Sequence, residues 1–198
     1  YESERRRVAS EGWAALLLAK QDEDGNWGGG IYSPKWKSTT YTLLHLRQLG
    51  LPAEHPKALR GCEKFFSRGL ERDGGINLWR SAKHSETCIN GMILALLAYF
   101  RYPDERIHSM ANFLLAEQMP DGGWNCERIK GATHASLHTT ISVLEGLEEY
   151  GACYPESLPA VIEARLKAHK FLLQHRLYRS HRTGEVIDPA MTYMHFPP

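Results

Sequence analysis

The chain has 198 residues, 42% of them hydrophobic, and its 24 basic and 23 acidic side chains leave a net charge of +1. That length suits one domain with a sizeable core, and the interleaved charge gives no electrostatic reason to expect nucleic acid or an anionic membrane as a partner. Cys62, Cys88, Cys126 and Cys153 show no CxxC spacing, which argues against a zinc ribbon or a disulfide framework, and the longest apolar stretch, Ile89 to Phe100, is broken by Asn90 and falls short of the roughly 20 residues a membrane span needs.

In chain order, Arg5-Arg6-Arg7 between Glu4 and Glu11 reads as a solvated helix start. A helix is predicted over about Val8 to Lys20, ending in Leu16-Leu17-Leu18-Ala19-Lys20-Gln21 and followed by a loop with Asp24-Gly25-Asn26-Trp27. A second helix, about Ser38 to Leu49, stops at Gly50. The pair recurs as about His55 to Gly69, a loop with Asp73-Gly74-Gly75-Ile76, and about Ser85 to Tyr102 ahead of Pro103. In the third pair Ile107, Met110, Ala111, Leu114, Leu115 and Gln118 follow amphipathic helical spacing. Asp121-Gly122-Gly123-Trp124 closes that helix, and its partner runs from about Thr133 to Tyr150, with Gly151 as its stop. A fourth unit opens with about Leu158 to Arg176 and carries Thr183-Gly184 where the others have Asp-Gly.

The Asp-Gly pairs stand 49 and then 48 residues apart, a period that marks stacked supersecondary units. The repeats fall at about 8–51, 55–102, 104–151 and 158–198 within a single domain spanning 1–198, the last truncated. The first helix of each pair has a charged face, whereas Ile89 to Phe100 is apolar nearly all round and must be buried on every side. The fold expected is therefore all-α: first helices outside, second helices inside, stacked into an α/α solenoid or toroid (barrel) that is incomplete at this length. No signal peptide precedes the first repeat, so a reducing, cytoplasmic setting is expected, and the start at Tyr1 and the stop at Pro198 within the fourth repeat suggest a piece of something longer.

Gln followed by Asp-Gly-Gly-Trp resembles the QW repeat of squalene and hopene cyclases, whose α/α toroid the protein prenyltransferase β subunits share. The likeness is good over 12–27 and 110–124, partial over 62–79 and weak after 158. It implies that Gln21, Trp27, Gln118 and Trp124 are structural ties between repeats. It also implies an isoprenoid or similar apolar substrate in the central cavity. The chain departs from the family in having no Asp-x-Asp-Asp and no Asp-Asp-x-x-Asp motif; Asp22-Glu23-Asp24 is followed by Gly25. Its aromatic content of 10% is ordinary, whereas a cavity that stabilises carbocations leans on many aromatic faces.

In such an architecture the N-termini of the inner helices gather at one mouth, where unpaired N–H groups favour anions. Aligning the units on Ser38, Ser85 and Ser136 collects Lys37, Thr39, Thr40 and Tyr41, then His84, Glu86 and Cys88, then His134 and His138, and from the fourth unit Asp188, Tyr193 and His195. His84 with Cys88, and His134 with His138, are four apart and share a helix face if their helices begin early enough, which makes zinc a candidate cofactor. The prenyltransferase likeness places a zinc histidine near His138, without the Asp-x-Cys partner. The competing readings are capping polar residues and a core cysteine. Without a metal, Glu86, Asp188 and His138 are the candidates for acid–base catalysis. His45, Cys62, Cys126 and Cys153 read as structural or surface residues.

Three functions follow. The first is a terpenoid cyclase- or prenyltransferase-like enzyme on a small isoprenoid-like substrate. The second is a hydrolase or lyase on carbohydrate, for which Trp36, Trp79, Arg80 and Lys83 are components. The third is a non-catalytic lipid- or protein-binding module.

Overall fold

The computed structural model describes residues 2–68, 70–78 and 84–193. Gly69, Trp79, Arg80, Lys83 and His195, singled out above, lie outside the described residues.

Eight α-helices are described: α1 (Glu2–Arg7), α2 (Gly12–Ala19), α3 (Thr39–Gln48), α4 (Pro56–Glu63), α5 (Thr87–Tyr99), α6 (Arg106–Ala116), α7 (Leu137–Cys153) and α8 (Leu158–Gln174), with a 3-10 turn prolonging α4 over Lys64–Arg68. Among the described residues β-pairing is confined to isolated bridges, and no helix is long and apolar enough to cross a membrane. The class is all-α, as the periodicity implies.

Several boundaries differ from expectation. The first helix is two: α1 ends at Arg7, and α2 begins only at Gly12, whose φ of +68° sets off the new axis. Arg5 is not solvated; its guanidinium donates to the Gly50 carbonyl (3.2 Å) and to the Tyr99 hydroxyl (3.0 Å), fastening α1 across the stack. Gly151 does not stop α7, which runs on to Cys153 because that turn is buried against α5; Cys153 Sγ donates to the Ala98 carbonyl at 3.3 Å.

Helices α3, α5 and α7 form the inner layer and run parallel. Their C-terminal ends meet through Cys153 and Ala98, and through the Tyr99 hydroxyl, which donates to the Leu51 carbonyl at 2.9 Å. Helix α5 is the most deeply set, with Ile93 through Ala98 fully buried. Its contact with α7 is a meeting of glycines: a Cβ on Gly91 would lie 2.6 Å from the Ser142 carbonyl oxygen, and one on Gly146 would lie 2.5 Å from that of Gly91. No side chain fits between these two backbones.

The loops clamp one unit to the next. Gln21 Nε2 donates to the Gly25 carbonyl (2.9 Å) in its own loop and to Lys57 (2.8 Å) on α4. Gln118 does the same to Gly122 and to Ala164 on α8, both at 2.8 Å. Trp27 and Trp124, both buried, point their indole N–H back to the Leu17 and Leu114 carbonyls. The backbone N–H of Trp27, Ile76 and Trp124 each finds a side-chain oxygen on the following inner helix, from Thr39, Asn90 and Thr140 in turn. The middle loop has Leu70 and Ile76 where the others have Gln and Trp, and there Asp73 accepts from the backbone of both Gly75 and Ser85.

Candidate functional site

The N-terminal ends of the inner helices form one polar and aromatic region. In front of α3, the Tyr32 and Trp36 rings pack on Tyr41, with centroids 5.4 and 5.1 Å away. Trp36 is 57% exposed, so this aromatic group faces solvent on one side. Burial, reinforced by a hydrogen bond with Tyr41 and by nearby Cys88 and Glu86, keeps the Tyr32 phenol protonated far above its ordinary range. Tyr32 therefore connects the start of α3 to the start of α5.

Glu86 is the N-cap residue of α5, and Cys88 follows one residue into the helix. The Cys88 thiol is hydrogen-bonded to Cys126 and buried, and both effects push its pKa up. Cys126 titrates low for the reciprocal reason: the Cys88 thiol and then the Thr139 hydroxyl, 3.6 Å away, donate to its sulfur. Cys126, read from sequence as a structural or surface residue, thus lies against Cys88 and Thr139 at the starts of α5 and α7. Thr87 Oγ1 and Ser38 Oγ, both buried at helix starts, have no hydrogen-bond partner among the described residues. Thr87 lines a small cavity of about 120 Å³ with Asp73, His84, Cys126 and Arg128.

The remaining candidates fall elsewhere. Because α5 starts at Thr87 and α7 at Leu137, His84 and His134 belong to the preceding loops, and neither four-residue pair shares a helix face. The His134 carbonyl accepts from Asn125, and the residue lines an open cleft of about 680 Å³ with Lys167, Lys170, His175, His181 and Arg182. His138, in the first turn of α7, lines an adjoining open cavity of about 450 Å³ with Asp188, which is engaged as the cap of a 3-10 turn through Ala190 N–H. The expected mouth is thus divided: Glu86, Cys88 and Cys126 with the aromatic group on one side, His138 and Asp188 on the other. Among the described residues no three His, Cys, Asp or Glu side chains converge as a metal site requires.

Tyr32 and Cys126 escaped the sequence reading for different reasons. Tyr32 precedes its inner helix by several residues and carries no periodic signal. Cys126 lies in a loop 38 residues from Cys88, and only the folded loop brings the sulfurs together.

No family model matches the chain. It is 24% identical over 140 residues to drimenyl diphosphate synthase of Streptomyces showdoensis, covering 70% of this chain and 26% of that protein. It is 30% identical over 132 residues to lanosterol synthase of Candida albicans, covering 61% of this chain and 18% of that one. The chain spans about a quarter or less of the length of these relatives. Both are terpenoid-forming synthases by name, and the likeness relates this chain, distantly, to the terpenoid cyclases.

Proposed function

We propose that the chain is a terpenoid cyclase-like enzyme module that binds an isoprenoid chain against the aromatic group at the start of α3, within reach of Glu86. The observation that carries this reading is the packing of Tyr32, Trp36 and Tyr41 beside Glu86 and Cys88. Isoprenoid chemistry develops positive charge on carbon, which aromatic faces attract, and a carboxyl group at the rim can deliver or remove the proton that starts or ends the reaction. His138 and Asp188, which line one open cavity, are the second candidates for acid–base chemistry. In the toroid that the resemblance implies, further hairpins would complete the wall opposite α5.

The test is calorimetric titration of the whole chain with farnesyl diphosphate, paired with mass-spectrometric analysis of extracted products. Saturable binding, weakened about tenfold in Tyr41→Leu, is expected, the size of a lost apolar packing contact. Product that disappears in Glu86→Gln while binding persists assigns the proton transfer to Glu86. Absence of binding overturns the reading.

Binding without product favours a non-catalytic ligand-binding module, the reading favoured by the missing Asp-x-Asp-Asp motif. Zinc, the cofactor that His84, Cys88, His134 and His138 raised, is tested on the same preparation by elemental mass spectrometry. Near-stoichiometric zinc lost in His138→Ala would assign the metal to that side of the mouth.

A further inference from the structure

The loop after α6 and the start of α5 bring two sulfurs together between the second and third hairpins. That loop is pinned to the head of α7. The Trp124 backbone N–H donates to Thr140 Oγ1 (3.0 Å), its carbonyl accepts from Ser136 N–H (2.8 Å), and Asn125 Nδ2 donates to the His134 carbonyl (2.8 Å). Cys126 follows, half-buried, with the Thr139 hydroxyl 3.6 Å from its sulfur. Cys88, in the first turn of α5, is also half-buried and donates its thiol hydrogen to the same sulfur. Cys62 and Cys153 differ: Cys62 is fully buried in the core, and burial pushes both thiols up.

Cys126 also lines the cavity of about 120 Å³, which has room for a few water-sized molecules. Thr87 lines it too, and its buried hydroxyl, without a partner among the described residues, is available to a small polar molecule held there. Donation from Cys88 and Thr139 brings the Cys126 thiol down to about 6, against burial and the charges of Glu86 and Glu127, so it is mostly thiolate at neutral pH. An accessible thiolate beside a second thiol is the arrangement of a redox-sensitive cysteine.

We propose that Cys126 is a peroxide-reactive thiol and Cys88 its resolving partner, the two closing a reversible disulfide between the α6–α7 loop and the start of α5. The Cys126 sulfur attacks one oxygen of a hydroperoxide. The O–O bond breaks, hydroxide or alkoxide leaves, and Cys126 becomes a sulfenic acid. The Cys88 sulfur then attacks the Cys126 sulfur: the S–S bond forms, the S–O bond breaks, and the hydroxyl departs with the Cys88 proton as water. Two electrons pass from the thiol pair to the peroxide. The first step prepares the second, because the Cys126 thiolate is the leading reason that Cys88 holds its proton, and oxidation removes that charge.

The test is treatment of the fully reduced chain with a small excess of hydrogen peroxide, followed by peptide mass spectrometry without reductant. A Cys88–Cys126 cross-linked peptide is expected, formed before Cys62 or Cys153 is modified and reversed by dithiothreitol. In Cys88→Ser, Cys126 should persist as a sulfenic acid that dimedone traps. In Cys126→Ser, oxidation of Cys88 should slow about tenfold or more. Far-UV circular dichroism checks the fold of both variants. The wild-type chain in urea should lose its preference for this pair, a comparison that needs no substitution. Equal oxidation of all four cysteines in the folded chain overturns the proposal, as does a disulfide to another cysteine or between molecules as the main product. A Cys88–Cys126 disulfide that forms as fast in urea as in the folded chain also overturns it.

Discussion

Gln118 shows how much one side chain does in this fold. Its amide closes its own loop at Gly122 and holds α8 through Ala164, so truncation orphans two carbonyls at once. Gln118→Ala is expected to cost about 1–3 kcal/mol in urea denaturation, and a variant of wild-type stability would remove the tie from the account. The thiol pair is the second residue-scale case. Cys126 titrates below a free thiol because Cys88 and Thr139 donate to its sulfur, so the thiolate persists to lower pH in the folded chain than in the unfolded one. With its folded value depressed, Cys126 contributes stability that is complete by the unfolded thiol's value of roughly 8.5 and is lost as pH falls through the folded one, while Cys88, pushed up, takes stability away above that value. Iodoacetamide labelling of Cys126, followed by peptide mass spectrometry, should therefore show a midpoint below that of an unfolded thiol. Thr139→Val should move the midpoint up, and an unchanged midpoint would deny the hydroxyl its role. Gln118 was legible in the sequence because its partner loop is adjacent and the pattern recurs. Cys126 was not, because nothing local marks a thiol whose donors lie on two helix starts.

At the scale of elements, the α5–α7 contact fixes how closely the inner helices can approach. A methyl group on Gly146 would fall 2.5 Å from the Gly91 carbonyl oxygen, so α7 must move before Gly146→Ala can fit. In an open helix the same exchange stabilises, by about 0.4–1 kcal/mol. Here the overpacking cost of about 1–3 kcal/mol or more decides the sign, and thermal denaturation should show a lowered midpoint. A raised midpoint would mean that the two backbones have slack. The inner helices themselves were readable, since Ile89 to Phe100 is too apolar to lie anywhere but inside. Their ends were less so. Gly151 carries the usual stop signal, but burial against α5 carries α7 past it, and α5 begins two residues after Ser85 because Asp73 takes up that serine in the loop. A start at Ser85 already leaves His84 in the loop, and the later start at Thr87 removes the face that His84 and Cys88 would share only in a helix that begins earlier.

Across the whole molecule, stacked hairpins are coupled mainly to their neighbours, so a stack of this kind tends to unfold from its ends. Arg47 works against that tendency. From α3 it reaches past α5 to Glu149 (2.9 Å) and Glu145 (3.2 Å) on α7, with its guanidinium 5.9 Å from the Tyr99 ring centroid. The stacking order follows from the repeat period, but this link does not: Arg47 and Glu149 are 102 residues apart and belong to no motif. The Arg47 and Glu149 side chains are 19% and 26% exposed, so the pair is screened less than a surface one. Arg47→Met keeps the apolar stem over Tyr99 and removes the charge, which isolates the electrostatic part of the link. Hydrogen exchange should then show α2 and α3 losing protection while α6 and α8, clamped by Gln118, keep theirs. Uniform loss across all helices would mean that the stack already unfolds as one unit without the link. No loss anywhere would mean that desolvation cancels the attraction between these charges.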